Sequence, residues 1–431
     1  MSLVQRWREI RTGFERPFWV ANISEIFERL SYYAVFAALA RYLHEALQFP
    51  TAEAASLSGI FGGAVWVMAI FGGALADRIG FRRALSLAYF ILSCSYFLIG
   101  SIGAPWLGPV RSAVPLGVMV GVILFLPALG VALVKPSVVG TTARASRENV
   151  RSIGYSIYYT LVNIGSTLGP FLAGWVHQRM RVENVFRLAA LSVFLMFIGV
   201  LIFFREPRRG GAEATSLGQV ARNLMTVLSN VRFVIFLLIF VGYWIVFWQQ
   251  YLILPIYIHD YVDASANTEL ILITDPLIVI VFTVVINALT RRIAAFRAIT
   301  LGTLVTAVAW LVIASRPSVV AAIVTLAIVA LGEIIQSPRY YEYISRLAPA
   351  GQQGTYMGFA FLPIGIGSLI GGWFAGRLLH HFGEVRQQPQ KIWWVVTGVG
   401  VATALLLWIY DRLIRREHPA PAEAQSEGAR L

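Results

Sequence analysis

The sequence predicts an all-α membrane protein with about twelve transmembrane helices in two pseudo-symmetric halves. Of the 431 residues, 58% are hydrophobic and only 13% are charged, which is far from the composition of a soluble domain. The apolar residues fall into about twelve stretches of near-spanning length. Motifs that recur at a fixed spacing then indicate that the two halves share one fold.

The basic residues give a formal net charge of +13, but they lie in short loops between the apolar stretches. This distribution is typical of cytoplasmic loops in membrane proteins rather than of a nucleic-acid-binding patch. We therefore expect a protein of the inner membrane, surrounded by the lipid bilayer, with both termini in the cytoplasm and no nucleic-acid partner. Cys94 is the only cysteine, so an intramolecular disulfide is excluded, and it lies in an apolar run.

The first span, from about residue 18 to 47, contains five polar side chains that share one face of a helix. They are Glu25, Glu28, Arg29, Tyr32 and Tyr33. Ionisable groups at membrane depth cost roughly 3 kcal/mol or more each, so this face is expected to line a bundle interior or a wet cavity. The alternative is an interfacial turn in headgroup water, but the apolar remainder, Ala34 to Leu43, is too short to span a bilayer.

A second span, Ser56 to Ala76, runs into a compact loop rich in arginine. Gly80 in this loop can take the positive φ of a tight turn, and the cations favour the cytoplasmic side. The alternative is a basic inner loop with no further role. The residues of the loop motif are Gly73, Asp77, Arg78, Gly80, Arg82 and Arg83.

Two polar residues stand out in the remaining spans of the first half. Lys135 lies near the cytoplasmic end of the fourth span, in a chain that uses arginine almost everywhere else. The fifth span contains Asn163, whose amide needs a hydrogen-bond partner in lipid, whereas close helix packing explains the neighbouring Gly165 and Ser166. The third, fourth and sixth spans cover about 84–102, 115–139 and 185–204.

Residues 205–230 form the clearest linker, and Leu217 to Leu228 within it has the pattern of an amphipathic helix on the inner leaflet. We divide the chain into an N-terminal six-helix bundle, this cytoplasmic linker, a C-terminal six-helix bundle and a disordered tail. The four parts are 1–204, 205–230, 231–416 and 417–431. The later spans cover about 233–258, 270–289, 298–314, 319–337, 356–379 and 393–413.

Several motifs of the first half return in the second half at one constant offset. A register kept over some fifty residues indicates two like-folded halves, with a substrate expected near mid-membrane between them. The matching pairs are Ala128-Leu129-Gly130 with Ala330-Leu331-Gly332, Pro136 with Pro338, Gly165-Ser166 with Gly367-Ser368, and Ala173-Gly174 with Ala375-Gly376.

The buried charges differ between the halves, because Glu333 and Asp275 make the second half acidic while the first half is roughly balanced. Such a cavity suits a ligand with a carboxylate at one end and an amine at the other. Desolvated carboxylates beside cations can exchange protons near physiological pH, so proton coupling is expected, although sodium is not excluded. The alternatives are a helix lock between Glu333 and Arg339, and a helix-opening role for Asp275 before Pro276.

The motifs resemble those of the proton-dependent oligopeptide transporters, a family of the major facilitator superfamily. The resemblance covers most of the chain and implies a proton-coupled symporter that imports di- and tripeptides, or similar small zwitterionic solutes, by alternating access. We also expect a monomer that needs no cofactor or metal beyond the coupling proton. An enzyme is not expected, because no nucleophile–base pair or metal-ligand cluster stands out in the sequence. The matching residues are Glu25-x-x-Glu28-Arg29 with Tyr32-Tyr33, the loop 73–83, Lys135-Pro136, Tyr159 to Ser166, and Gly332-Glu333 through Pro338.

The resemblance also implies roles for these residues. Proton coupling would involve Glu25, Glu28 and Arg29, with Lys135 as a switchable ion-pair partner of the carboxylates. Arg29 and Lys135 would receive a peptide carboxylate, Glu333 would receive the amino group, and the loop motif would act as a gate. The other expected substrate-binding residues are Tyr32, Tyr33, Trp66, Asn163, Trp248 and Asp275.

Some positions depart from the family pattern. Aromatic residues around Trp248 replace the usual acid of the seventh helix, and Asp275 stands where asparagine is usual. Trp66 and Ala360 replace a frequent tyrosine and a frequent tryptophan, and the two extra helices of many bacterial members are missing. Two other functions therefore stay open, a proton-coupled drug or metabolite exporter of the same fold and a non-transporting membrane sensor.

Overall fold

This computed structural model describes residues 12–207, 217–348 and 353–417 of the chain. Twelve helices of 17 residues or more account for most of these residues. In the described residues, ten segments are long and apolar enough to cross a membrane. Helices α1 and α5, which hold the polar motifs, complete the twelve, so the chain is a multi-pass membrane protein. Helices α1 to α12 are Arg16–Arg41, Thr51–Ile79, Phe81–Ile99, Leu116–Arg144, Arg151–Arg179, Glu183–Phe203, Val231–Phe247, Thr274–Thr290, Ala295–Ser315, Val319–Leu347, Leu362–Leu378 and Gln390–Glu417.

Three of the predicted spans are interrupted near a proline. Helix α7 is followed by the short helices Gln249–Leu252 and Leu254–Tyr261, while Thr268–Leu272 precedes α8 and Gln353–Phe359 precedes α11. Pro255, Pro276 and Pro363 each lack the N–H that would continue the ladder, so the chain turns slightly at these points. The predicted single spans are therefore correct in position but not in continuity.

The predicted amphipathic helix of the linker is present as Leu217–Ser229. The rest of the linker between residues 208 and 216 lies outside the described residues. The same holds for the predicted disordered tail from residue 418 onward.

The sequence repeat corresponds to a spatial repeat. A methyl group at Gly130 of α4 would lie 2.6 Å from Leu92 of α3, and one at Gly332 of α10 would lie 2.8 Å from the carbonyl oxygen of Gly302 on α9. Likewise α5 packs on α1, and α11 packs on α7. The small residues at matching positions therefore create equivalent helix contacts in the two halves, as close packing in membranes requires.

The two halves meet mainly through α2 and α11, and through α5 and the residues around the start of α8. A methyl group at Gly59 would lie 2.7 Å from the Cα atom of Gly372, so the two backbones are in direct contact. The hydroxyl of Ser368 donates a hydrogen bond to the Gly59 carbonyl at 3.2 Å. Only small residues allow the halves to approach this closely.

The end of the bundle where α1 ends and α2 begins is rich in histidine, and we call it the histidine end. The opposite end, where α2 meets α3, is the arginine end. In the described part of the chain, six contacts between side chains join the two halves at the histidine end. They are His177 with Glu269, Arg41 with Thr268 and with Glu269, His44 with Asp260, His259 with Glu45, and Thr51 with Glu384. This end is therefore closed in the structure.

Candidate functional site

The charged face of α1 is buried completely. Arg29 is 2% exposed and Glu25 and Glu28 are 0% exposed. The Nε atom of Arg29 hydrogen-bonds a Glu28 carboxylate oxygen and lies 3.4 Å from Oε1 of Glu25. Both Glu25 oxygens, and also Nη2 of Arg29, lack a hydrogen-bond partner within the described part of the chain. A buried, under-satisfied carboxylate of this kind is costly and is typical of functional sites.

Helix α5 holds this cluster in place. A methyl group at Gly165 would lie 2.8 Å from the Cβ atom of Arg29, so the glycine allows α5 to approach the charged face. Arg29 also lies over the ring of Tyr32, with Cζ 5.2 Å from the ring centroid. Tyr32 is buried, whereas Tyr33 is partly exposed and stands edge-on to it. Tyr33 is therefore the more accessible of the two predicted pocket tyrosines.

Asn163 satisfies its amide within its own helix. Its Nδ2 donates to the carbonyl of Tyr159 at 2.9 Å. Tyr159 is 57% exposed and interacts electrostatically with Glu333 of the opposite half, so it faces the space between the halves. The predicted contact of Asn163 with a substrate stays a prediction.

Lys135 lies on aromatic rings in this conformation. Its Nζ atom is 3.6 Å from the ring centroid of Trp66 and 5.7 Å from that of Phe361. Arg29 occupies the carboxylates that were expected to pair with Lys135. The switchable ion pair of Lys135 with Glu25 and Glu28 stays a prediction for another state of the protein.

The acidic wall of the second half is built from two helices. Asp275, in the first turn of α8, is 4% exposed and accepts a hydrogen bond from Nε2 of Gln250 at 3.0 Å. Glu333 of α10 is partly exposed and close enough to Asp275 for the two charges to interact. Two like charges in one pocket favour a cationic ligand group or a shared proton.

The helix lock considered for Glu333 is not formed. Arg339 instead donates to Glu342 at 2.7 Å and to the carbonyl of Thr290 at 3.3 Å. Asp275 does open a helix, because it lies in the first turn of α8, and its side chain is buried. Its place in a substrate pocket stays a prediction.

Trp248 is buried at the contact between the halves. Its indole nitrogen donates to the carbonyl of Ile364 at 3.0 Å, and its ring centroid is 5.4 Å from that of Phe36. Since the residue is only 3% exposed, Trp248 contributes to packing between the halves, and its place in a pocket wall stays a prediction.

The loop motif forms the predicted tight turn, with φ of 88° at Gly80. The carboxylate of Glu206 accepts hydrogen bonds from the backbone N–H groups of Phe81 and Arg82, both at 2.8 Å. The guanidinium of Arg144 lies over the ring of Phe81, with Cζ 4.4 Å from the ring centroid. Gly73 packs near Pro136, Arg78 and Arg83 are exposed, and the side chain of Asp77 lies outside the described residues.

Sequence reasoning missed several polar contacts. Glu206 was assigned to the linker, but it caps the N-terminus of α3. Gln250 lies within an apolar run that the sequence analysis assigned to a span. The residues of the histidine end lie at the ends of spans, where charged side chains are common and therefore give no specific signal. A buried glutamine in such a run was the available signal, since its amide requires a partner. In the described residues, no group of His, Cys, Asp and Glu side chains is arranged as a metal site.

Comparison with known sequences identifies the wider group. The sequence profile of the Major Facilitator Superfamily matches residues 22–362 and, in a second match, residues 276–431. Multidrug resistance protein MdtH of Klebsiella pneumoniae subsp. pneumoniae is 25% identical over 342 residues, which are 79% of this chain and 81% of that protein. The protein of the same name from Salmonella newport is 24% identical over 341 residues, which are 79% of this chain and 80% of that protein.

Solved structures share the fold. A POT family transporter in complex with 5-aminolevulinic acid has a TM-score of 0.76 at 18% identity, covering 93% of this chain and 96% of that chain. A mutant of the nucleoside transporter NupG has a TM-score of 0.75 at 12% identity, covering 91% of this chain and 99% of that chain. These relatives and structures are membrane transporters and not enzymes. Because the profile match extends over most of the sequence and the fold agrees, the chain belongs to the major facilitator superfamily of membrane transporters.

Proposed function

We propose that the protein is a proton-coupled symporter that imports small solutes carrying both an amine and a carboxylate. The observation that carries this proposal is the buried cluster on α1, where Arg29 is shared between Glu25 and Glu28. A carboxylate with unpaired oxygens at membrane depth gains most from taking up a proton. Peptides are the first substrate class to test, and di- and tripeptides are the size we expect.

Protonation would change the cluster in a defined way. A carboxylate of this cluster that has taken up a proton no longer attracts Arg29 as an anion, so the guanidinium becomes available to another carboxylate. Lys135 is partly exposed and could join Arg29 in receiving the carboxylate of the solute. Glu333, supported by Asp275, supplies the negative charge for the amine at the opposite wall.

Alternating access would follow from opening the histidine end. We place the arginine end and both termini in the cytoplasm, because arginine-rich loops favour that side of the inner membrane. The histidine end would then face outward and is closed in this structure by the polar contacts between the halves. A solute entering from outside must separate these contacts first.

Transport in proteoliposomes tests the proposal. With an alkaline interior and an acidic exterior, the protein should accumulate a labelled dipeptide above its outside concentration, and a protonophore should abolish the accumulation. Empty liposomes provide the control. Binding of peptides without any accumulation driven by the proton gradient would contradict the proposal.

A second candidate is the export of organic cations in exchange for protons. The position of Lys135 on aromatic rings favours it, because the same rings could hold an organic cation. The relatives named multidrug resistance proteins are consistent with this alternative. In the same proteoliposomes an exporter would move a fluorescent organic cation in the direction opposite to the flow of protons.

A further inference from the structure

The ammonium of Lys135 rests on an aromatic surface to which both halves contribute. Trp66 belongs to α2, whereas Phe361 immediately precedes α11. Their rings are stacked, with centroids 5.7 Å apart and planes 21° from parallel. The ring of Tyr341 on α10 lies next to them, with its centroid 6.1 Å from that of Phe361. We call Trp66, Phe361 and Tyr341 the aromatic seat.

Close backbone packing fixes the geometry of the aromatic seat. A methyl group at Gly365 of α11 would lie 2.9 Å from the carbonyl oxygen of Gly63 and 3.2 Å from the Cβ atom of Trp66. The two helices therefore meet at this level and bring Trp66 beside Phe361. The indole nitrogen of Trp66 is buried and has no hydrogen-bond partner among the residues that the structure covers. The ring is thus positioned by packing and by the cation above it.

The aromatic seat has the chemistry of an ammonium site. The face of an aromatic ring attracts a cation without requiring an N–H donor, most strongly in a desolvated pocket. Trp66, Phe361 and Tyr341 are all partly exposed, so a solute in the space between the halves can reach them. We propose that the aromatic seat binds organic ammonium groups and that Lys135 occupies it when no such ligand is present. The proposal deepens the second candidate function, the export of organic cations, and rests on it for the route by which the ligand arrives.

An exchange between ligand and lysine would have a mechanical consequence. A ligand ammonium in the seat displaces the ammonium of Lys135, whose alternative partners are the carboxylates of Glu25 and Glu28. The exchange links the arrival of a ligand to the charge state of the α1 cluster. It also places the ligand against rings from both halves, where it can affect their separation.

Choline binding to the purified protein in detergent tests the site by isothermal titration calorimetry. Choline carries an ammonium without N–H groups, and 3,3-dimethyl-1-butanol has the same shape with carbon in place of nitrogen. Choline should bind measurably and the neutral alcohol should not compete with it. Equal binding of the two compounds would overturn the proposal, because shape alone would then explain the binding.

Variants separate the aromatic seat from general electrostatics. Lys135→Ala vacates the seat and removes a positive charge, so choline affinity should rise about tenfold or more. A double variant that combines Lys135→Ala with Trp66→Leu has the same charge as Lys135→Ala but should bind choline about tenfold more weakly. Combining Lys135→Ala with Trp66→Phe should retain most of the choline affinity. Trp373→Leu is the matched control, because that exposed indole also carries a cation, with Arg377 4.8 Å from its ring centroid.

Two results would contradict the aromatic seat. The first is an affinity in Lys135→Ala that is unchanged or lower, and the second is a double variant that binds choline as tightly as Lys135→Ala. Lys135→Gln replaces Lys135→Ala, with the same expectations, should the alanine variant fail to fold. Loss of proton-driven uptake with choline binding intact would count against the proposed function alone.

Discussion

His177 and Glu269 connect the two halves through a buried contact, with Nδ1 of His177 2.8 Å from Oε1 of Glu269. His177 belongs to α5, and Glu269 lies in the short helix before α8. The carboxylate is 0% exposed and is also 3.7 Å from Nη1 of Arg41. One buried acid of the second half is therefore held by two basic side chains of the first half. The histidine end cannot open without exposing it.

We expect Glu269→Gln to favour an open histidine end. Removing one partner of a buried ion pair costs about 3–5 kcal/mol, and here the loss falls on the closed state alone. Pulsed electron paramagnetic resonance between spin labels at Gly103 and Ser265, in a Cys94→Ser background, should show a larger population at long distance. Both positions are exposed loop residues, one in each half.

Glu183→Gln provides the control for this measurement. Glu183 pairs with Arg181 at 2.6 Å, at the same end but within one half. Its substitution should leave the distance distribution unchanged. Equal widening in both variants would show that the histidine end responds to any lost charge.

The closure of the histidine end should depend on pH through His44 and Asp260. Nε2 of His44 lies 3.3 Å from Oδ2 of Asp260, beyond the ends of α1 and α7. The hydrogen bond to Asp260 raises the pKa of His44. Burial alone would raise the pKa of Asp260, but hydrogen bonds from His44 and His259 bring it below its usual value.

The signs of these shifts define a pH window. Because the pKa of His44 is raised, its protonated ring stabilises the closed state. This stabilisation is complete below the ordinary pKa of 6.5 and is lost as the pH rises through the raised pKa. Because the pKa of Asp260 is lowered, its ionised carboxylate also stabilises the closed state. This stabilisation is complete above the ordinary pKa of 3.8 and is lost as the pH falls through the lowered pKa. We therefore expect closure to weaken above neutral pH in the same spin-label experiment. His44→Gln should flatten this dependence, whereas His381→Gln should preserve it.

A side chain at Gly372 should overpack the contact between α2 and α11 and destabilise the protein. A methyl group there would lie 2.8 Å from both the Ala55 carbonyl oxygen and the Gly59 Cα atom. Overpacking of this kind costs about 1–3 kcal/mol, so Gly372→Ala should lower the thermal stability of the detergent-solubilised protein. Gly398→Ala is the control, because a methyl group at that position meets nothing within 4 Å. A Gly372→Ala variant as stable as the control would contradict the close contact.

Much of the fold was predictable because its determinants are local. The apolar stretches set the spans, and the fixed offset between Gly130 and Gly332 predicted equivalent packing in the two halves. The interruptions near Pro255 and Pro363 were not predicted, because a proline in an apolar run also occurs within continuous kinked helices. Whether the chain restarts a helix after it depends on tertiary packing.

The site was predicted only in part, for a physical reason. The spacing of Glu25, Glu28 and Arg29 on one helix fixed their shared face, and the structure brings them together. The position of Lys135 on Trp66 and Phe361 depends on a contact between halves that no local spacing specifies. The competition between Arg29 and Lys135 for the same carboxylates could therefore not be resolved from the sequence.

Glu28→Gln should abolish proton-driven accumulation while counterflow exchange of the same substrate continues. Glutamine keeps the shape of the side chain and can still accept the hydrogen bond from Arg29, but it cannot carry a proton. Uptake with and without a pH gradient, measured beside counterflow in the same proteoliposomes, gives the answer. Glu342→Gln, which affects a partly exposed pair with Arg339, should transport normally. Uphill uptake at the native rate by Glu28→Gln would remove this residue from the coupling role.

Glu333→Gln should weaken the binding of zwitterionic substrates far more than that of their N-acetylated forms. Acetylation removes the cation of the ligand, so only the zwitterion gains from the carboxylate. A charge-assisted contact is worth roughly 1.5–3 kcal/mol, or about ten- to a hundredfold in affinity, which calorimetry resolves easily. If Glu333 instead binds a second proton, both ligand forms should lose driven uptake equally while binding is spared. A purely structural role would lower thermal stability without ligand. Equal loss of affinity for both ligand forms would rule out Glu333 as the amine receptor, and with it the strongest argument for a peptide-like substrate.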